Sequence, residues 1–137
     1  MSIVPLKCNE TSDFSKQVAC WRTRDEIFIA PDGQVLPCNG WNGYAKKYNM
    51  NFENLKNMKL KDILTKSNYL STVLTTVQDL FDRNKECRNC EYREKCGGGH
   101  CRVIAFAGTG DFYGKDESTC AFFKGGYEDK IKKFMNS

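Results

Sequence analysis

Fifteen residues constrain this chain more than any others: Cys87-Arg-Asn-Cys90-Glu-Tyr-Arg-Glu-Lys-Cys96-Gly-Gly-Gly-His-Cys101, which hold four of its eight cysteines. A Cys-x-x-Cys turn points two thiolates at one metal centre. Gly97, Gly98 and Gly99 lack Cβ atoms, so backbone N–H groups can approach an anionic sulfur cluster closely. The other four cysteines, Cys8, Cys20, Cys38 and Cys120, are spread along the chain and read as the remaining ligands.

Composition decides what kind of cysteine chemistry to expect. Eight cysteines in 137 residues fall below the roughly 8–10% that marks a disulfide scaffold. The stretch from Met1 to Lys7 lacks the basic region and long apolar run of a signal peptide, which predicts a cytoplasmic protein. In a reducing cytosol, clustered cysteines are more often metal ligands than disulfides. No apolar run approaches the roughly 18–20 residues of a membrane span. The net charge of +4 counts every cysteine as neutral. A four-iron cluster on four thiolates carries about −2, so two clusters would bring the chain near neutrality. The basic balance is therefore a weak argument for nucleic acid, which needs a concentrated basic stripe with stacking aromatics. Here the lysines are scattered.

Local patterning predicts an α+β domain. Residues 26–30 are β-branched and aromatic and read as a strand. Pro31-Asp32-Gly33 reads as a turn, and residues 34–37 as the returning strand of a hairpin. Pro37 ends it, which places Cys38 at the hairpin exit. Residues 39–58 read as loop. Trp41, Tyr44, Tyr48 and Phe52 within them read as core packing, with a partner-facing wall as the sharper alternative. Leu60, Ile63 and Leu64 share one face of a short helix. Leu70, Val73, Leu74, Val77 and Phe81 predict a longer one, capped by Asn68 or Ser71. Residues 103–107 are apolar and fit helix or strand, with a turn at 108–111. Residues 125–137 read as a terminal helix whose Lys130, Lys132 and Lys133 form a solvated face.

Eight cysteines divide evenly into two sites of four. Cys87, Cys90 and Cys96 are close enough in sequence to share a centre. Cys101 and Cys120 can fill the two remaining vacancies, and spacing alone leaves the partition open. His100, the single histidine, is not needed as a ligand and reads as a hydrogen-bonding or exposed residue. No general acid or nucleophile stands out; Asp111 and Tyr113 are near the ligands in sequence only. The alternative from another class is a structural module stabilised by two zinc ions. Zinc motifs more often repeat Cys-x2-Cys in pairs, and only one such pair occurs here.

The pattern Cys20-x12-Gly33-x4-Cys38, then Cys87-x2-Cys90-x5-Cys96, a glycine-rich step to Cys101 and a late Cys120, resembles the SPASM domain. That domain is the C-terminal extension of many radical S-adenosylmethionine enzymes that modify peptides and proteins, including sulfatase-maturating enzymes and maturases of ribosomally made peptides. "IFIAPDGQVLPC", "NFENLKNMKLKDIL" and "GTGDF" resemble its hairpin, the stretch before its helix and its closing segment. The likeness spans about residues 20–124, within one domain of residues 1–137. One departure is visible: four residues separate Cys96 from Cys101 where the family usually has three.

The resemblance implies a small metal-stabilised domain with two auxiliary [4Fe–4S] clusters. The first would be bound by Cys20, Cys38 and Cys101, with Cys8 as its fourth ligand or with an open iron site. The second would be bound by Cys87, Cys90, Cys96 and Cys120. Zinc could occupy these sites in aerobically prepared protein. The Cys-x3-Cys-x2-Cys motif of the radical enzymes is absent, so the chain is not expected to cleave S-adenosylmethionine alone. The expected partners are a radical catalytic domain, in the same chain or a separate one, and a peptide or protein substrate, without nucleic acid or membrane.

Overall fold

A computed structural model of the chain describes residues 16–20, 26–99 and 101–137. Cys8 and His100 lie outside the described residues. Two strands, β1 (Phe28–Ile29) and β2 (Val35–Leu36), pair antiparallel with Phe28 opposite Leu36 and Ile29 opposite Val35. The turn forms where the sequence places it. Gly33 takes φ +90°, and its N–H donates to the Ala30 carbonyl at 2.8 Å. The Asp32 carboxylate accepts from the Gln34 N–H at 3.1 Å. The strands are shorter than the expected 26–30 and 34–37. The outer edge of β2 is instead taken by residues 53–55: Val35 donates to the Glu53 carbonyl at 2.9 Å, and Leu55 to that of Gly33 at 2.9 Å.

Residues 39–58 are not all loop. A 3-10 turn, Asn39–Trp41, follows the hairpin, and a one-turn helix α1, Tyr44–Lys47, follows it. Burial explains both, because Trp41 and Ala45 are enclosed in the main core. That core also holds Ala30, Leu36, Cys38, Phe52 and Val103. The Trp41 ring lies 6.0 Å from Phe52, 5.9 Å from Phe106 and 6.2 Å from Phe112. The loop aromatics therefore divide: Trp41 and Phe52 are core payload, while Tyr44 and Tyr48 are exposed and stacked on each other at 6.0 Å.

The short helix forms as expected, α2 (Leu60–Lys66), with Ile63 buried against Val35 and Tyr69 in a second cluster. The single longer helix expected over 70–81 does not form. It is split into α3 (Asn68–Val73) and α4 (Val77–Arg83), and the cap of α3 is Ser67 rather than Asn68 or Ser71. The break has a physical cause. Thr76 is extended and bridges Val18, with a bond on either side: Ala19 donates to the Thr75 carbonyl at 2.8 Å, and Val77 to that of Gln17 at 2.9 Å. Thr76 then caps α4 in a reciprocal capping box with Asp79.

Two one-turn helices, α5 (Lys85–Arg88) and α6 (Arg93–Cys96), carry the cysteine-rich segment. The ambiguous apolar run is a helix, α7 (Arg102–Thr109), ended by Gly110 at φ +73°. Cys120 lies on α8 (Glu117–Lys124), and α9 (Tyr127–Met135) closes the chain. Lys132 pairs with Glu128 at 2.8 Å, which also takes Lys95 at 3.0 Å and so ties α9 to α6. Phe134 and Met135 are 82% and 76% exposed, so the apolar spacing of α9 does not bury its last turn. Among the described residues no helix is long and apolar enough to cross a membrane.

Candidate metal centre

Seven cysteines are described, and Cys38, Cys87, Cys90, Cys96, Cys101 and Cys120 are free thiols. Four of them converge. Cys87, Cys90, Cys96 and Cys120 line one open concavity of about 430 Å3, counting its solvent-facing part. Each is delivered by a different local device. Asn84 caps α5 by accepting from the Cys87 N–H at 3.1 Å, and its amide reaches the Tyr113 carbonyl at 3.2 Å. Cys90 follows in a turn, its N–H donating to the Cys87 carbonyl at 3.3 Å. Cys96 is the last residue of α6, and Cys120 sits in the first turns of α8, capped by Asp116. Tyr92 and Phe123, stacked at 5.9 Å, flank the concavity.

The glycine run does what its composition suggests. Gly97, Gly98 and Gly99 all have positive φ, at 60°, 79° and 100°. All three are buried. A Cβ on Gly99 would collide with that of Asp116, and one on Gly98 would press Leu80 at 3.1 Å. The bend brings the Gly99 N–H toward the Cys96 sulfur, where it favours the thiolate. Burial nevertheless dominates, together with Cys87, Cys120 and Cys90 nearby, and the Cys96 pKa is pushed up to about 11. Burial also raises Cys87, against the opposing pull of Arg102. Thiols this crowded and desolvated stay protonated until a cation replaces their protons.

Of the other three described cysteines, two lie at the main core. Cys38, at the exit of β2, is buried there, with Cys101 packed against the same cluster. Burial raises the Cys38 pKa, and the Cys101 thiolate raises it further. The N–H groups of Gly40 and Trp41 pull the other way. Cys20 is tethered through its neighbour Ala19, which bonds Thr75.

Between the two groups lies Arg102, only 3% exposed. Its Nη1 donates to the carbonyls of Phe112 at 3.2 Å and Gly114 at 2.9 Å. Its Nη2 donates to those of Gly98 at 2.5 Å and Gly99 at 3.4 Å. The fifth guanidinium proton, on Nε, has no partner although the atom is buried. An unmet buried donor costs roughly 1–3 kcal/mol. Burial pulls the Arg102 pKa down, and Asp116, also 3% exposed, opposes it, as do Cys87, Cys101 and Cys20 once they are thiolates. Sequence reading missed both Arg102 and Asp116. The signals were slight: an arginine directly after Cys101, and an aspartate three residues before Thr119 in the manner of an N-cap.

The arrangement fits an anionic, sulfur-rich group: an all-thiol donor set, a glycine bend with inward N–H groups, and an orphaned cationic donor. Among the described residues no three Cys, His, Asp or Glu side chains converge tightly enough to hold one metal ion. The four thiols border a volume rather than a point. Asp111 and Tyr113 serve the turn instead: the Asp111 carboxylate accepts the Tyr113 N–H at 2.9 Å.

The family model for SPASM, an iron–sulfur cluster-binding domain, matches residues 20–91. The match contains Cys20, Cys38, Cys87 and Cys90 and stops before Cys96, Cys101 and Cys120. No solved structure matches the chain. The matched residues make up more than half of the 137, and the chain belongs to the SPASM family of iron–sulfur cluster-binding domains.

Proposed function

We propose that this chain is the auxiliary cluster-binding part of a radical S-adenosylmethionine maturase acting on peptides or proteins, in the cytoplasm. One observation carries the reading: Cys87, Cys90, Cys96 and Cys120 line a single concavity, and these are the residues the family pattern assigns to one [4Fe–4S] cluster. Cys20, Cys38 and Cys101, with Cys8, are assigned to a second. Cluster-bound, the domain gains one-electron chemistry, suited to taking the electron left when a substrate radical collapses to product, or an iron to which substrate binds.

The chain's own residues set the conditions. The Gly99 N–H and the Arg102 guanidinium favour negative charge at Cys96 and Cys87 respectively. Tyr92 and Phe123 shield one side from water. Lys115 and Lys124 stand at the rim, held to Glu86 at 3.1 and 3.8 Å, where a partner domain or substrate would approach. Catalysis itself is assigned to the radical domain, an oxidoreductase-type maturase.

Anaerobic reconstitution tests this, with iron, sulfide and zinc quantified beside the absorption spectrum. About eight irons and eight sulfides per chain, with broad absorbance near ~400 nm, are expected for two cubane clusters. Two zinc ions without sulfide uptake would mean a structural module and would overturn the reading.

A further inference from the structure

We infer that Arg102 is a positioning residue shared by both thiol groups, reserving its Nε–H for a cluster sulfur and placing one positive charge between the two centres. The inference rests on the cluster-binding reading above and goes beyond it, because no cysteine pattern assigns a role to this arginine. Three observations carry it.

First, the guanidinium is filled except at one point. A guanidinium has five N–H donors in a rigid fork. Four are spent on the carbonyls of Gly98, Gly99, Phe112 and Gly114. The fifth is buried and unpartnered. Buried donors in native proteins are almost always satisfied, so this one marks an acceptor that arrives with the bound group.

Second, the four satisfied donors fix where the fifth points. Gly98 and Gly99 lie between Cys96 and Cys101, and Phe112 and Gly114 lie on the approach to Cys120. The fork thus clamps the two loops that aim ligands of both centres. Asp116 completes the clamp: it accepts from the Cys101 N–H at 3.3 Å and caps the helix of Cys120.

Third, no other cation is placed this way. Among the described residues Arg102 is the single basic side chain in the buried polar set. Arg93, Lys115 and Lys124 line the concavity from its exposed side. Charge beside an anionic cluster favours the reduced state, and hydrogen bonds to sulfur act in the same direction. Arg102 therefore raises the potentials of both centres together.

The test uses the reconstituted chain carrying guanidino-15N arginine, reduced and studied by pulsed electron paramagnetic resonance. A 15N coupling to a reduced cluster is expected in the wild type and lost in Arg102→Lys. Redox titration of Arg102→Met should move both cluster potentials to more negative values, with partial recovery in Arg102→Lys. A loaded wild type without the coupling would overturn the inference alone, even where a variant fails to fold. So would a coupling that survives in Arg102→Lys and hence belongs to Arg93, or a shift of one potential only. A wild-type chain that takes up no iron or sulfide would overturn the parent reading and this inference with it.

Discussion

The Asp116 carboxylate accepts the backbone N–H of Cys101 at 3.3 Å while the same side chain caps the helix bearing Cys120, through Thr119 N–H at 3.1 Å and Thr119 Oγ1 at 2.9 Å. One buried carboxylate thus ties a cysteine of each assigned set. Asp116→Ala removes the cap and leaves Arg102 without its largest stabilising charge. Stranding a buried charge costs roughly 3–5 kcal/mol. Asp116→Asn keeps a capping oxygen and should cost less. Both variants remove the charge, so urea denaturation of the iron-loaded chain isolates the cap: equal losses would show that the capping oxygen contributes nothing beyond the charge.

Gly99→Ala should be nearly as damaging as loss of a ligand. Gly99 sits at φ +100° and a methyl there meets Asp116 and the Arg102 Nη2 at 3.0 Å. Strained backbone of this kind costs roughly 1–3 kcal/mol. The strain falls between Cys96 and Cys101, so iron content should drop more than helix content. Iron assay beside circular dichroism distinguishes the two. Gly108→Ala, where a Cβ meets nothing within 4 Å, is the control and should leave both unchanged.

The hairpin, α2 and the concentration of cysteines were legible because each rests on local chemistry: the Pro31-Asp32-Gly33 turn, the spacing of Leu60 and Ile63, the Cys-x-x-Cys step. The split between α3 and α4 was not. The apolar periodicity from Leu70 to Phe81 is continuous, and what breaks it is a partner distant in sequence, residues 17–19 bonding Thr75 and Val77. Arg102 and Asp116 escaped for the same reason. A charged residue next to a cysteine reads as surface, and only the folded loops at 98–99 and 112–114 reveal that the guanidinium is enclosed. Spacing alone left the partition of the cysteines open, since Cys120 is far in sequence from the three it lines the concavity with; the family resemblance supplied the grouping.

Acid should weaken α4 through Asp79. The N–H and hydroxyl of Thr76 both bond its carboxylate, at 2.8 and 2.9 Å, and hold its pKa below the ordinary 3.8. A depressed folded-state value means the contribution is fully present above the ordinary value and is lost as pH falls through the lower one. Asp79→Asn should flatten that acid limb of the stability profile, and Thr76→Ala should cost about 1 kcal/mol at neutral pH. Thermal melts from pH 7 down to about pH 2 test this; an unchanged acid limb in Asp79→Asn would assign it to other carboxylates.

The assigned partition predicts how single ligand losses divide the iron. Cys120→Ala should remove about half of it, one four-iron cluster of two, and Cys87→Ala should do the same. The double variant should lose no more than either, because both ligands serve one concavity. Cys38→Ala should remove the other half, and combining it with Cys120→Ala should abolish uptake. Chelation of the wild type should leave a chain without a cooperative melt, since the ligands span most of the sequence and their binding energy is folding energy. Iron and sulfide analysis with circular dichroism measures all six. If Cys38→Ala and Cys120→Ala each strip the same iron, non-additively, the two groups are one centre and the partition is wrong.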